Sequence, residues 1–181
     1  MLLRTLSENL IEPVSVTEAK EHLRISFSED DNYLGSLISK VREFVELYLN
    51  TSLVNRQLEI IMDDIPDDGF QLPFPPVVSI DAMQYGFDED DERIDIGYKY
   101  SHSSNKIYFN NGITKLDTPI DAFRCVFTVG SNETPKRIKQ AILMLIGHWY
   151  ENREEVLTNV NFIRLPYGAK MLLDQERGFK L

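Results

Sequence analysis

One apolar run near the carboxyl end limits the possible folds of this chain more than any other feature. In the stretch AILMLIGHWYENREE, residues 141–155, seven residues without charged or hydrogen-bonding side chains precede a histidine, two aromatics and several charges. A helix that is apolar on every side is buried on every side. We therefore predict a helix over about 134–152, with residues 138–147 buried between another helix and a sheet. Its core positions are Ile138, Ile142, Leu145 and Trp149.

Three other segments carry helix patterns. Ser15 and Glu18 have the spacing of a capping box, which predicts a short helix over about 16–23. Apolar residues then recur at steps of three and four from 34 to 49, behind the acidic segment 28–31, and this predicts a long amphipathic helix. The segment PYGAKMLLDQER, which begins at Pro166, predicts a last short helix.

The middle of the chain alternates apolar and polar residues with a period of two. Residues 57–62, 93–100 and 122–130 show this pattern, turn-forming segments separate them, and 77–84 is a further strand candidate. We predict an α+β protein: a helical bundle with a long amphipathic helix, a central apolar helix and short terminal helices, carrying an inserted antiparallel sheet with a hairpin near 86–112. The helices occupy about 16–50 and 134–174 and the insertion about 56–130, all within a single domain, 1–181.

The charge balance excludes several classes of function. The chain of 181 residues has 19 basic and 29 acidic side chains, a net charge of −10. A surface that grips nucleic-acid phosphates or an anionic membrane needs clustered Lys and Arg, so neither is expected. The first 13 residues lack a signal-peptide pattern, no stretch approaches the roughly 20 apolar residues of a membrane span, and Cys125 is the only cysteine. A cytoplasmic protein without disulfides is the simplest interpretation.

Motifs for catalysis or metal binding are weak. His148 and Glu151 could share a helix face, but the sequence nominates no further ligand and has no H-E-x-x-H spacing. The run FDEDDER imitates the start of a calcium loop, yet Arg93 and Lys99 stand where glycine and glutamate are required. Cys125 falls on the apolar face of a strand, and no nucleophile elbow or Gly-rich phosphate loop occurs. We predict no catalytic residue, cofactor or metal.

The charges at the ends of the apolar helix oppose the helix dipole. Cations stand in its first turn and acids at its last, the reverse of the favourable arrangement. Such a pattern would suit head-to-tail contact between identical subunits, and we state that as a hypothesis. The residues concerned are Lys136, Arg137 and Lys139 at one end and Glu151, Glu154 and Glu155 at the other.

Several stretches together resemble one family. PVSVTEAKEHLRI with its long following helix, QLEIIMDDIP, LPFPPVVSID, TPKRIKQAILMLIGHWYENREEV and the closing LPYGAKMLL are similar to head–tail connector (adaptor) proteins of tailed phages, prophages and phage-like gene transfer particles. The similarity runs from Pro13 to about Leu173. The acidic segment 87–92 has no counterpart in it, and the tail DQERGFKL departs from the family pattern.

The resemblance implies a structural virion protein without enzymatic activity. Such adaptors bind the portal protein as a ring of twelve copies at the neck, extend the DNA channel toward the stopper and tail-completion proteins, and reside in the host cytoplasm before assembly. DNA passes without specific binding. Two alternatives remain: another neck protein (a stopper or tail-completion protein), or a small metal-dependent hydrolase built on His148, Glu151 and the acidic loop.

The resemblance also suggests roles for particular residues. The segment expected to dock on the portal contains Met171, Leu172, Leu173, Arg177, Phe179 and Lys180. Independently of the resemblance, acidic loops that point into a pore would repel DNA phosphates, so a loop that faces the lumen or a partner is expected to contain Asp88, Glu89, Asp90, Asp91 and Glu92.

Overall fold

The computed structural model describes residues 1–8, 11–87, 93–110, 113–117, 119–131, 133–152 and 166–177. The chain divides into two compact units. The first, here called the β unit, comprises Met1–Leu10 and Asn50–Asn132; the second, the helical unit, comprises Ile11–Leu49 and Glu133–Leu181. Each unit therefore combines two separate stretches of sequence.

The β unit contains two antiparallel sheets. Its described strands are β1 (Leu2–Glu8), β2 (Arg56–Met62), β3 (Phe70–Gln71), β4 (Val77–Phe87), β5 (Arg93–Asp95), β6 (Tyr98–Ser101), β7 (Lys106–Phe109) and β8 (Phe123–Val129). The five-stranded sheet has the order β1-β2-β8-β4-β5, and the three-stranded sheet has the order β3-β7-β6.

Strand alternation builds the core of the β unit. On β8 the side chains of Phe123, Cys125 and Phe127 are fully buried, because every second residue of a strand points to the same face. The Phe123 ring meets Phe70 and Phe109 of the three-stranded sheet edge-on, with centroids 5.4 and 5.6 Å away. Burial raises the pKa of the Cys125 thiol to about 12, which leaves it an unreactive packing residue.

The helical unit contains α1 (Val16–Leu23), α2 (Asp31–Leu49), α3 (Lys136–Glu151) and α4 (Tyr167–Glu176) among its described residues. The predicted capping box is confirmed: the Glu18 amide donates to the Ser15 hydroxyl at 3.1 Å and the Ser15 amide donates to the Glu18 carboxylate at 2.8 Å. At α3 the N-cap is Pro135 and the helix begins at Lys136, two residues after the predicted start at about 134.

The prediction that the apolar helix is buried on all sides is wrong. Within α3 the buried residues are Ile138, Ala141, Ile142, Leu145 and Ile146, whereas residues 143, 144 and 147–150 are only partly buried. The helix packs on α1, α2 and α4 of its own unit. The residues on the outer side of α3 are thus partly exposed. Among the described helices, none is long and apolar enough to span a membrane.

The predicted fold class is also wrong. The described residues form an α+β protein with eight strands in two sheets and four short helices, the longest having 19 residues, and not a helical bundle with a long amphipathic helix and a β insertion. The prediction missed β1, whose side chains are nearly all exposed and show no alternation of burial. It also treated 93–100 as one strand, whereas β5 and β6 belong to different sheets because the chain changes partners at Ile96 and Gly97.

Candidate interaction surfaces

Helix α4 presents an exposed apolar pair. Tyr167 and Met171, one turn apart, have exposed fractions of 78% and 48%. Ala169 and Leu173 on the opposite side are fully buried in the helical unit. Since residues at i and i+4 lie on one face of a helix, Tyr167 and Met171 form a small apolar surface that water covers in the isolated chain.

Close packing and polar contacts fix α4. A methyl group added at Gly168 would lie 2.6 Å from the Met144 Cε atom, so α4 approaches α3 closely here and the end of the flexible Met144 side chain would have to shift to admit a larger residue. On the other side the Tyr48 hydroxyl donates to Asp174 at 2.6 Å, and Lys170 donates to the same carboxylate at 2.5 Å. The bonds from Lys170 and Tyr48 lower the pKa of Asp174, which keeps the carboxylate ionised.

The predicted portal-docking residues differ in accessibility. Met171 and Arg177 are exposed, and the Arg177 guanidinium lies 4.9 Å from the centroid of the Tyr48 ring. Leu172 is half-buried, whereas Leu173 is fully buried, so its side chain belongs to the core and is inaccessible to a partner. Phe179 and Lys180 lie outside the described residues. The sequence interpretation overlooked Tyr167, although the PYG motif contains it.

The cations at the start of α3 have partners within the chain. The Arg137 guanidinium is 3.2 Å from Glu176 of α4, and the Lys139 ammonium is 3.2 Å from Glu18 of α1. These acids offset the unfavourable position of the cations at the positive end of the helix dipole. Of the remaining residues of the predicted inter-subunit set, Lys136 and Glu151 are exposed, and Glu154 and Glu155 lie outside the described residues.

A buried ionic network in the helical unit was not predicted. Arg42 on α2 is 3% exposed and donates to Glu46 at 2.8 Å and to Glu12 at 2.9 Å. Ser39 donates to the same Glu12 carboxylate at 2.7 Å, which fastens the segment before α1 to α2. The available sequence signal was the i,i+4 pair Arg42 and Glu46 on a helix with many apolar neighbours.

A second buried carboxylate lies on the five-stranded sheet. Glu59 of β2 is 1% exposed and accepts from Arg4 of β1 and, at 2.6 Å, from Arg124 of β8. Arg124 also donates to Gln84 of β4 at 3.0 Å, so polar side chains link four neighbouring strands. Burial acts to raise the pKa of Glu59, but the hydrogen bonds from the two arginines outweigh it and the pKa is lowered.

The candidate metal residues do not converge in the part of the chain that the structure describes. No group of three His, Cys, Asp or Glu side chains there could hold a metal ion. His148 lies beside Asn152, with the amide nitrogen 3.4 Å from Nδ1 and 2.8 Å from the His148 carbonyl. The predicted lumen loop, Asp88, Glu89, Asp90, Asp91 and Glu92, lies outside the described residues.

A family profile described as Head completion protein (HCP) matches residues 12–161 of the chain. The chain therefore belongs to the head completion protein family, a class of structural virion proteins. The predicted resemblance to phage head–tail connector proteins is thereby confirmed. No curated protein is significantly similar to the chain in sequence.

The whole chain shares its fold with chains of gene transfer agent (GTA) particles. A chain from the virion of the native GTA particle has a TM-score of 0.77 and 18% identity, and the match covers 100% of this chain and 97% of that one. Chains from the neck of the empty particle, computed with C6 symmetry, and of the native particle, computed with C12 symmetry, cover the same shares. Each has a TM-score of 0.76, with 19% and 18% identity respectively.

Proposed function

We propose that this head completion protein is the adaptor that forms a ring on the portal in the virion neck and extends the DNA channel toward the stopper and tail-completion proteins. The observation that carries the proposal is the family match over 12–161, supported by a fold shared along the whole chain with neck proteins of GTA particles. Both units act in this proposal as one adaptor domain. The chain has a structural role and turns over no substrate.

Twelve copies is the ring size we propose. The C12 symmetry of the native GTA neck supports this number. Because every copy contributes a net charge of −10, the ring has a strongly negative potential. We place the acidic segment 88–92 at the lumen, where its charge repels DNA phosphates over roughly 8 Å at physiological salt. DNA then passes without adhering, and no membrane contact is involved.

The portal contact in this proposal is built on the exposed side of α4 and the residues after it. Tyr167 and Met171 provide apolar anchors, and transferring such a side chain from water into a partner contributes on the order of 1–2 kcal/mol. Arg177 adds a cation for acidic groups of the portal. Leu172, Phe179 and Lys180 of the predicted set extend this contact, whereas the buried Leu173 is left out of it.

Substituting Met171→Glu tests this contact. It should weaken binding to the portal of the same genome by tenfold or more in sedimentation, because a carboxylate would have to be desolvated at the interface. Leu47→Glu is the matched control, since Leu47 is a 70% exposed apolar residue on α2 outside the proposed contact. Equal binding by both variants would remove α4 from the interface.

Two further measurements separate the alternatives. A stopper would bind a preformed portal–adaptor assembly but not the bare portal, whereas an adaptor binds the bare portal. A hydrolase dependent on His148 would contain metal and lose it in the His148→Ala variant, whereas an adaptor should assemble normally with that substitution.

A further inference from the structure

The strands β6 and β7 carry an unusual charge pattern for so acidic a chain. Residues 96–116 contain no Asp or Glu, although acidic residues number 29 of the 181 in the chain. The same stretch contains Lys99, Lys106 and Lys115. Strands β6 and β7 are therefore a basic part of a protein with a net charge of −10.

Strand alternation places two of these lysines on one face. Ile107 is fully buried and Tyr98 packs partly against the core, so Lys99, Lys106 and Tyr108 point away from it. Lys99 pairs across the strands with Tyr108, whose ring lies 5.2 Å from the Lys106 ammonium. We call Lys99, Lys106 and Tyr108 the basic face; Lys99 and Tyr108 are exposed, and Lys106 is half-buried.

The opposite edge of the same sheet is acidic. The order of the strands is β3-β7-β6, and the segment DDIPDDG, residues 63–69, leads directly into β3. Asp67 and Asp68 are exposed there, and Lys115 lies 2.5 Å from Asp67 and 3.6 Å from Asp64. One lysine is thus shared by two of the four aspartates in this segment, which leaves the edge with an excess of negative charge.

Glycine fixes the position of this acidic edge. Gly69 has a φ of +72°, and a Cβ atom added there would lie 1.9 Å from the Ile107 carbonyl oxygen. The turn is therefore pressed against β7, and Asp68 is held at the margin of the sheet rather than on a loose loop. The acidic residues consequently lie at the β3 edge, whereas the basic face lies on β7 and on the opposite edge strand β6.

We infer that the acidic β3 edge, Asp67 and Asp68, of one copy contacts the basic face of the next copy around the ring. The inference rests on the proposed ring function and names the contact that closes it. Head-to-tail rings need two different, complementary surfaces on every subunit, and the acidic β3 edge and the basic face provide them. Copies that each carry −10 repel one another, so their contact requires local charges of opposite sign.

The observations favour a second copy over DNA as the occupant of the basic face. Each lysine that neutralises a phosphate adds only a small, salt-sensitive increment to DNA affinity, and this face has two lysines within an acidic chain. A matching acidic surface, by contrast, is present on every neighbour.

The test is charge reversal followed by compensation, with ring assembly on the portal counted by electron microscopy. Lys99→Glu should reduce the fraction of portals with a complete ring at least tenfold. Lys40→Glu, an equal change of charge at an exposed position of α2, should leave assembly unchanged. The double variant Lys99→Glu with Asp68→Lys should restore rings, because each contact again joins opposite charges.

Each other result overturns the inference. Equal assembly by the Lys99→Glu and Lys40→Glu variants would remove the basic face from the ring contact, as would a double variant no better than Lys99→Glu alone. Normal rings that lose affinity for duplex DNA after Lys99→Glu would assign the face to nucleic acid. These results leave the proposed function intact, whereas a wild-type chain that forms no ring on the portal refutes both.

Discussion

Removing the Arg124 side chain measures how strongly the β unit depends on its buried carboxylate. In the Arg124→Met variant, Glu59 keeps its bond to Arg4 but loses the 2.6 Å bond from Arg124. Breaking one partner from a buried ion pair costs about 3–5 kcal/mol. Because Arg4 remains and the Arg124 side chain is 31% exposed, we expect the substitution to lower the free energy of unfolding by about 2–3 kcal/mol at pH 7.

The same variant should show a characteristic pH dependence. In the wild type the pKa of Glu59 is below its usual 4.5, so the stabilisation is present above that pH and is lost as the pH falls through the folded-state pKa. Without Arg124, burial is opposed by one arginine only and the pKa of Glu59 rises. The carboxyl group of the variant is then protonated at a higher pH than in the wild type, so the destabilisation should shrink as the pH is lowered.

Urea unfolding followed by circular dichroism at pH 7 and pH 5 measures both effects. Arg4→Met is the matched control and should cost no more than about 1 kcal/mol, since the Arg4 side chain is 57% exposed. The double variant Glu59→Gln with Arg124→Met should lose the pH dependence of the destabilisation. The reasoning is refuted if Arg124→Met destabilises no more than Arg4→Met, or if its effect is equal at both pH values.

Three further substitutions test single elements of the fold by thermal or urea unfolding. Ser15→Ala removes the hydroxyl group that accepts the hydrogen bond from the Glu18 amide and should lower the free energy of unfolding by about 1 kcal/mol. An unchanged free energy of unfolding would show that the capping box does not stabilise the protein. Leu145→Ala opens a cavity at a fully buried position of α3 and should lower the free energy of unfolding by about 2–5 kcal/mol. A decrease below about 1 kcal/mol would contradict the packing described. Gly130→Ala should destabilise through its φ of +122° and a Cβ atom 2.2 Å from the Val54 carbonyl oxygen, and wild-type stability would contradict that geometry.

Local patterns predicted individual elements well. The S-x-x-E spacing gave α1 with its correct bounds, and alternation located β2 and β8 to within one residue at each end. These signals succeed because the information lies within one turn or one strand. The edge strand β1 lacks such a signal, since its side chains are mostly exposed on both faces and its pairing with β2 depends on residues 48 to 59 positions away.

Interaction surfaces were less predictable than elements. Leu173 looked like a docking anchor because apolar residues cluster near it in sequence, but its burial depends on the packing of the helical unit. Arg137 and Lys139 have partners within the chain, Glu176 and Glu18, that are distant in sequence, and their inter-subunit contact stays a prediction. Contacts between residues that are distant in sequence decide which charged and apolar side chains remain available to a partner. A single sequence does not show these contacts.

Imaging the purified chain mixed with the portal of the same genome tests the central claim most directly. The account predicts a ring of twelve copies at the narrow end of the portal. A portal that stays bare at saturating concentrations of the chain, or that binds isolated copies without closing a ring, would contradict it.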